Sequence, residues 1–124
     1  MPIALQINHP DRMVVGIAEG VVSRQDLDGF VEELGRVSAF RYRKLIDLMA
    51  ASWGVSEEEL TAFSESVRQT PRERPSGPIA LVTNDANGPL ARLFAELTGT
   101  KRPARVFDNI HAARRWLLEN SLKA

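Results

Sequence analysis

The run Ile79-Ala80-Leu81-Val82 constrains the fold more than any other feature of the chain. Four consecutive apolar residues leave no polar side for water, so a strand made from them must be covered on both faces. Residues 70–78, TPRERPSGP, precede it with three prolines and read as a loop. Residues 84–87 turn the chain after it, and Pro89 suits the first turn of a following helix. A strand covered on both faces and followed by a helix points to an α/β fold with a largely parallel sheet.

The flanking sequence extends the pattern. Residues 3–7 and 13–18 are rich in Ile and Val and are separated by Asn8-His9-Pro10-Asp11-Arg12, which predicts an antiparallel hairpin. Ser23, with Asp26 three residues on, forms a capping-box pattern ahead of Leu27, Phe30, Val31, Leu34 and Val37 at helical spacing. A third strand is expected over 45–49. Ser56 with Glu59 repeats the capping box and opens a second helix with Leu60, Phe63 and Val67 inward. Leu90, Leu93, Phe94 and Leu97 line a third helix, which Gly99 is placed to end. Residues 104–107 form a last strand, and Asp108 is expected to cap a helix with Ile110, Ala113 and Leu117 on one side and Trp116 adjoining. The order β-β-α-β-α-β-α-β-α describes one α/β domain over residues 1–124, with a mixed, mostly parallel sheet and helices packed on it.

Composition narrows the chemistry. The chain of 124 residues has no cysteine, so disulfides, thiolate metal sites and cysteine nucleophiles are excluded together. Its histidines, His9 and His111, are too few for a zinc site without carboxylates. No apolar run approaches the ~20 residues of a membrane-spanning helix, and no basic segment precedes the first apolar stretch. A cytoplasmic location is expected.

Lys and Arg balance Asp and Glu at 16 each, so the chain is not expected to bind nucleic acid through its net charge. Residues 1–62 hold ten acids and six bases, and residues 63–124 hold six and ten. The basic excess lies in Arg68, Arg72, Arg74, Lys101, Arg102, Arg105, Arg114 and Arg115. Those near the last helix (Lys101, Arg102, Arg105, Arg114 and Arg115) suit acidic head groups or a partner, although a solvated face explains them more simply. No glycine-rich phosphate motif is present, Gly99-Thr100-Lys101 following a helix rather than a strand, and no cofactor is expected.

Several segments carry a family resemblance. These are Val14-Val15-Gly16-Ile17-Ala18-Glu19-Gly20, Lys44-Leu45-Ile46-Asp47-Leu48, and residues 79–83 followed by Gly88-Pro89-Leu90-Ala91-Arg92-Leu93-Phe94. Val106-Phe107-Asp108 with Ala112, Ala113 and Trp116-Leu117 completes the set. Together with the element order they resemble the SpoIIAA-like family of the STAS superfamily, small bacterial proteins of the STAS/CRAL-TRIO type. The resemblance spans nearly the whole chain, through core and cap positions. It implies a module without catalysis that docks a protein partner, as the anti-anti-sigma proteins do, or that holds a small apolar ligand or lipid. In the anti-anti-sigma proteins a switch serine opens the helix after the central strand. Here Ser56 takes that place, but Val55 stands where the family has aspartate, and Glu57, Glu58 and Glu59 follow. A phosphate on Ser56 would gain from the helix N-terminus and face like charge from those glutamates.

The candidate functional face is therefore the segment 50–56 and the turn 84–90, both after strand C-termini. Asp47 lies in an apolar strand, where its carboxylate either faces a ligand or bonds loop amides. Trp53, expected in a loop, suits a pocket wall, a partner anchor or a lid over the core edge. Ser52 and Ser56 are the candidate phosphoacceptors, Ser56 first, with a helix cap as its structural alternative. Asn84, Asp85 and Asn87 precede a helix whose free amides attract anions. A lipid carrier requires a dry pocket under Trp53 flanked by Phe63 or Phe94, with basic residues near its mouth. A small acid/base enzyme would centre on Asp47. The first strand offers an edge for a homodimer, and Phe40 and Tyr42 lie in a basic loop that a second copy could cover.

Overall fold

The computed structural model describes residues 3–39, 41–69, 77–84, 88–98 and 103–121. The Ile- and Val-rich segments form β1 (Ile3–Asn8) and β2 (Met13–Val22), paired antiparallel from Ile3 opposite Ala18 to Asn8 opposite Met13. The hairpin turn is held by its own side chains. The Asn8 carboxamide donates to the Asp11 carboxylate at 3.0 Å, and its oxygen accepts from the Asp11 amide at 3.0 Å.

Helix α1 (Arg24–Arg36) starts where the capping box places it. Ser23 Oγ accepts from the Asp26 amide, and Asp26 Oδ2 accepts from the Ser23 amide. Strand β3 (Arg43–Trp53), helix α2 (Glu57–Gln69), strand β4 (Ile79–Val82), helix α3 (Gly88–Thr98), strand β5 (Ala104–Phe107) and helix α4 (Ile110–Ser121) follow in the expected order. Asn109, not Asp108, caps α4: its side-chain oxygen accepts from the amides of His111 at 2.7 Å and Ala112 at 3.1 Å. Both residues are favoured caps, and the helix begins one residue later than the sequence suggests. The Asp85-Ala86-Asn87 part of the turn, Gly99, Lys101, Arg102, Phe40 and most of the proline-rich loop lie outside the described residues.

The five strands stand in sequence order, β1-β2-β3-β4-β5, with every pair after the hairpin parallel. This order explains the layers. Successive crossovers of one hand that step across a sheet in one direction lay their helices on one face. Accordingly Leu27 of α1, Leu60 and Phe63 of α2, and Ala91 and Phe94 of α3 share one core with Ile46, Leu48, Ile79 and Leu81. Helix α4 follows the last strand, is not a crossover, and covers the other face. Its Ala113 and Leu117 pack on Leu45, Ala80 and Val82. The run Ile79–Val82 is buried at every position, as a strand between two helix layers must be.

One helix cannot cover a five-stranded face. α4 packs mainly against β3, β4 and β5; Met13 and Val15 at the start of β2 adjoin that core, and the rest of this face toward β1 and the far end of β2 and β3 is open. Ile17, Met49 and Val21 stay 38%, 48% and 64% exposed there, and Leu118 on α4 is exposed as well. At the opposite end of the strands, Lys44 is buried to 1% exposure inside β3, and its Nζ donates to the Tyr42 carbonyl at 3.0 Å. Arg12 and Ser38, at φ 53° and 58°, are the described non-glycine residues in the left-handed region. Each such residue costs roughly 1–2 kcal/mol that its surroundings must offset.

Candidate functional site

The central strand is longer than expected and irregular. β3 runs to Trp53, so Ser52 and Trp53 belong to the sheet rather than to a loop. β2 and β3 continue as residues 19–22 and 50–53, which pair with each other: Glu19 lies opposite Ala50, Gly20 opposite Ala51, Val21 opposite Ser52 and Val22 opposite Trp53. β4 ends opposite Asp47, so β2 and β3 project beyond it as a two-stranded ribbon. Gly54 ends the ribbon. Its amide donates to the Val22 carbonyl at 2.8 Å, and a Cβ there would collide with Val21 Cγ1.

A bulge lies at the root of the ribbon. Ile17 pairs with Asp47 but Glu19 pairs with Ala50, so β3 carries one residue more than β2 over this step. The extra residue frees backbone groups that need other partners. Asp47 Oδ1 accepts from the Met49 amide at 3.0 Å, and Asn84 Nδ2 donates to the Met49 carbonyl at 3.1 Å. Two of the residues singled out from sequence thus converge on the backbone of one residue, Met49. The half-buried Asp47 carboxylate has a backbone partner, the structural alternative named for it above.

The other candidates separate. Alternation along β3 puts Ser52 on the open, α4-side face, where it is exposed. Trp53 points to the other side and packs, half-buried, against the core under α1–α3. Ser56 caps α2: its hydroxyl accepts from the Glu59 amide and its own amide donates to Glu59 Oε1, both at 3.1 Å. Asp85 and Asn87 lie outside the described residues.

Phe63 and Phe94, the expected walls of a ligand pocket, stack on each other with centroids 6.1 Å apart and planes at 22°. A cavity of about 320 Å³ opens elsewhere, between β1 and α1, lined by Ile3, Leu5 and Phe30 with Asp26, Gly29 and Glu33. Its two carboxylates are the reverse of the basic mouth expected of a lipid site.

His9 Nδ1 lies 2.6 Å from the Tyr42 hydroxyl, across the ends of β1 and β3, and His111 is exposed in the first turn of α4. Among the described residues no three of His, Asp and Glu converge to hold a metal ion. Of the basic residues near the last helix, Arg105, Arg114 and Arg115 are exposed, and Arg105 lies over the Phe107 ring at 5.3 Å. No described helix is long and apolar enough to cross a membrane.

Two features escaped the sequence reading. The exposed side chains of Ile17, Met49 and Val21 look like core residues in a strand pattern, and only the narrow cover of α4 leaves them open. Lys44 reads as the polar flank of a strand, yet it is buried.

No family model matches the chain, and no curated protein matches it. A solved structure does: an uncharacterized protein of the DUF3478 family from Shewanella loihica PV-4, described as having a SpoIIAA-like fold. The two share 16% identity with a TM-score of 0.60, over 93% of this chain and 91% of that one. The α/β fold of this chain, with its β-β-α-β-α-β-α-β-α order and its sheet half covered on one side, is SpoIIAA-like.

Proposed function

We propose that the chain is a STAS-type binding module, without catalysis, that docks a protein partner on the open side of its sheet. The observation that carries this is the row Ile17, Met49 and Val21, three large apolar side chains 38–64% exposed on one sheet face. Scattered apolar side chains on a surface are ordinary, whereas neighbouring ones on a sheet face lacking its second layer are the usual basis of a docking surface. Ser52, opposite Val21, supplies a polar group within the same surface. The bulge braced by Asp47 and Asn84 sets the direction of the ribbon that presents it.

The carrier reading draws on the same fold but has less behind it, because Phe63 and Phe94 pack against each other and the cavity beside α1 is lined by carboxylates. An acid/base role for Asp47 competes with its bond to the Met49 amide. Ser56 as a phosphoacceptor would give up a formed capping box and meet Glu57, Glu58 and Glu59.

Native mass spectrometry of the protein purified from the cells that make it tests the assignment. A docking module retains a protein partner at a defined ratio, and Met49→Asp removes it. A noncovalent mass of lipid size, retained by Met49→Asp, would instead establish the carrier. A mass of two chains would assign the outer edge of β1, which has no strand neighbour among the described residues, to self-association.

A further inference from the structure

At the end of the sheet opposite the docking surface, Arg12, Arg41 and Arg43 line one cavity of about 480 Å³ together with Asp11, Ser38, Tyr42 and Pro78. The volume falls in the range of small-molecule sites. We propose that this cavity binds the phosphate group of a small organic phosphate ester.

The charge is the first reason. Among the described residues the lining holds three arginines and one carboxylate, and that carboxylate accepts from Asn8 Nδ2 at 3.0 Å. The ion pairs formed among the described residues involve Arg24 and Arg36, not these three arginines. Arg43 uses one nitrogen on the Asp11 carbonyl at 2.9 Å, which ties the hairpin turn to the start of β3, and its remaining donors are uncommitted. Guanidinium groups match the planar oxygen edges of a phosphate, each able to donate two bonds to it.

The backbone is the second reason. Arg12 and Ser38, the described non-glycine residues with positive φ, both line this cavity, one on each wall. Ser38 takes this conformation directly after the C-cap of α1 and Arg12 in the β1–β2 turn, so the two chain turns that border the cavity are built into the fold. The walls are also fixed from behind. Tyr42 is held by His9, hydroxyl to Nδ1 at 2.6 Å with the rings edge-to-face, and a Cβ on Gly77 would collide with the carbonyls of Arg41 and Tyr42. Gly77 therefore lets Pro78 close the floor, with the Lys44 amide donating to the Pro78 carbonyl at 2.9 Å. The Tyr42 ring and Pro78 give an apolar wall beside the arginines, and the cavity exceeds what a bare phosphate ion needs. Both features favour an ester over the free ion.

Titration of the full chain with phenyl phosphate, inorganic phosphate and sodium sulfate at equal ionic strength, followed by amide chemical shifts, tests the proposal. Phenyl phosphate should bind saturably at one site, roughly tenfold tighter than inorganic phosphate, with shifts confined to residues near Arg12, Ser38 and Arg41–Arg43. Arg12→Gln and Arg41→Gln, both exposed and outside the core, should each weaken it by roughly tenfold or more, the loss expected for a charged hydrogen bond. Arg105→Gln, on β5, should leave it unchanged. Equal response to sulfate, equal affinity for inorganic phosphate, shifts dispersed over the surface, or full affinity in Arg12→Gln would each overturn the assignment. Unchanged amide spectra away from the cavity establish that the variants are folded.

Discussion

Asn84 Nδ2 donates to the Met49 carbonyl at 3.1 Å, reaching from the end of β4 to a residue that no strand pairs on that side. With Asp47 Oδ1 on the Met49 amide, it gives partners to both backbone groups of Met49. On its β4 side, the root of the ribbon that carries Val21, Met49 and Ser52 is therefore braced by two side chains where the β3–β4 ladder has ended.

That anchoring predicts a specific mutational pattern. Asp47→Ala and Asn84→Ala should each cost about 1 kcal/mol in urea unfolding, the net value of one hydrogen bond. Asp47→Asn keeps an oxygen that can accept from Met49 and should cost less than Asp47→Ala. Because both residues hold the backbone of Met49, the double substitution should depart from additivity. A fully additive pair would contradict the shared role.

Ser56 should behave as a cap. Ser56→Ala is expected to lower stability by about 1 kcal/mol through loss of the bond from the Glu59 amide. Ser56→Asp restores an acceptor there and should retain most of that stability, although Glu57–Glu59 oppose the added charge. Thermal unfolding of the three proteins side by side decides it, and an unaffected Ser56→Ala would remove the cap.

Lys44 should matter to folding out of proportion to its type. Lys44→Ala leaves a void and a vacated bond at the Tyr42 carbonyl, and a loss of roughly 2–4 kcal/mol is expected. Lys44→Met keeps most of the volume and should lose less. Equal losses in chemical denaturation would mean that the ammonium, not the packing, governs the site.

Gly54→Ala should destabilise the ribbon, because the new methyl meets Val21 Cγ1 and the Val22 carbonyl. About 1–3 kcal/mol is expected from such overpacking. Faster amide hydrogen exchange confined to the ends of β2 and β3 would locate the effect, and uniform acceleration would not.

The fold was legible because its determinants are local. Two capping boxes, the Asn8–Asp11 turn and the doubly buried run at Ile79 each fix an element without reference to the rest of the chain. Asp47 and Asn84 were also visible as polar residues at strand ends. What joins them was not, since a bulge is a mismatch between two strands and no single strand displays it. Trp53 and Ser52 were placed in a loop because the apolar alternation falters at Ala50-Ala51, where the bulge shifts the pattern by one residue. The exposed row Ile17, Met49 and Val21 depends on how far α4 reaches, and the Arg12–Arg41–Arg43 cavity on two segments some thirty residues apart, so neither has a local signature.

A photo-crosslinking residue placed at position 21, and separately at Glu58 on the outer side of α2, in protein expressed in its native cells gives the most direct test of the docking surface. A docking role for the open sheet face predicts one discrete protein adduct from position 21, none from position 58, and loss of the adduct in Met49→Asp. No adduct at 21, or the same adduct from both positions, would contradict it.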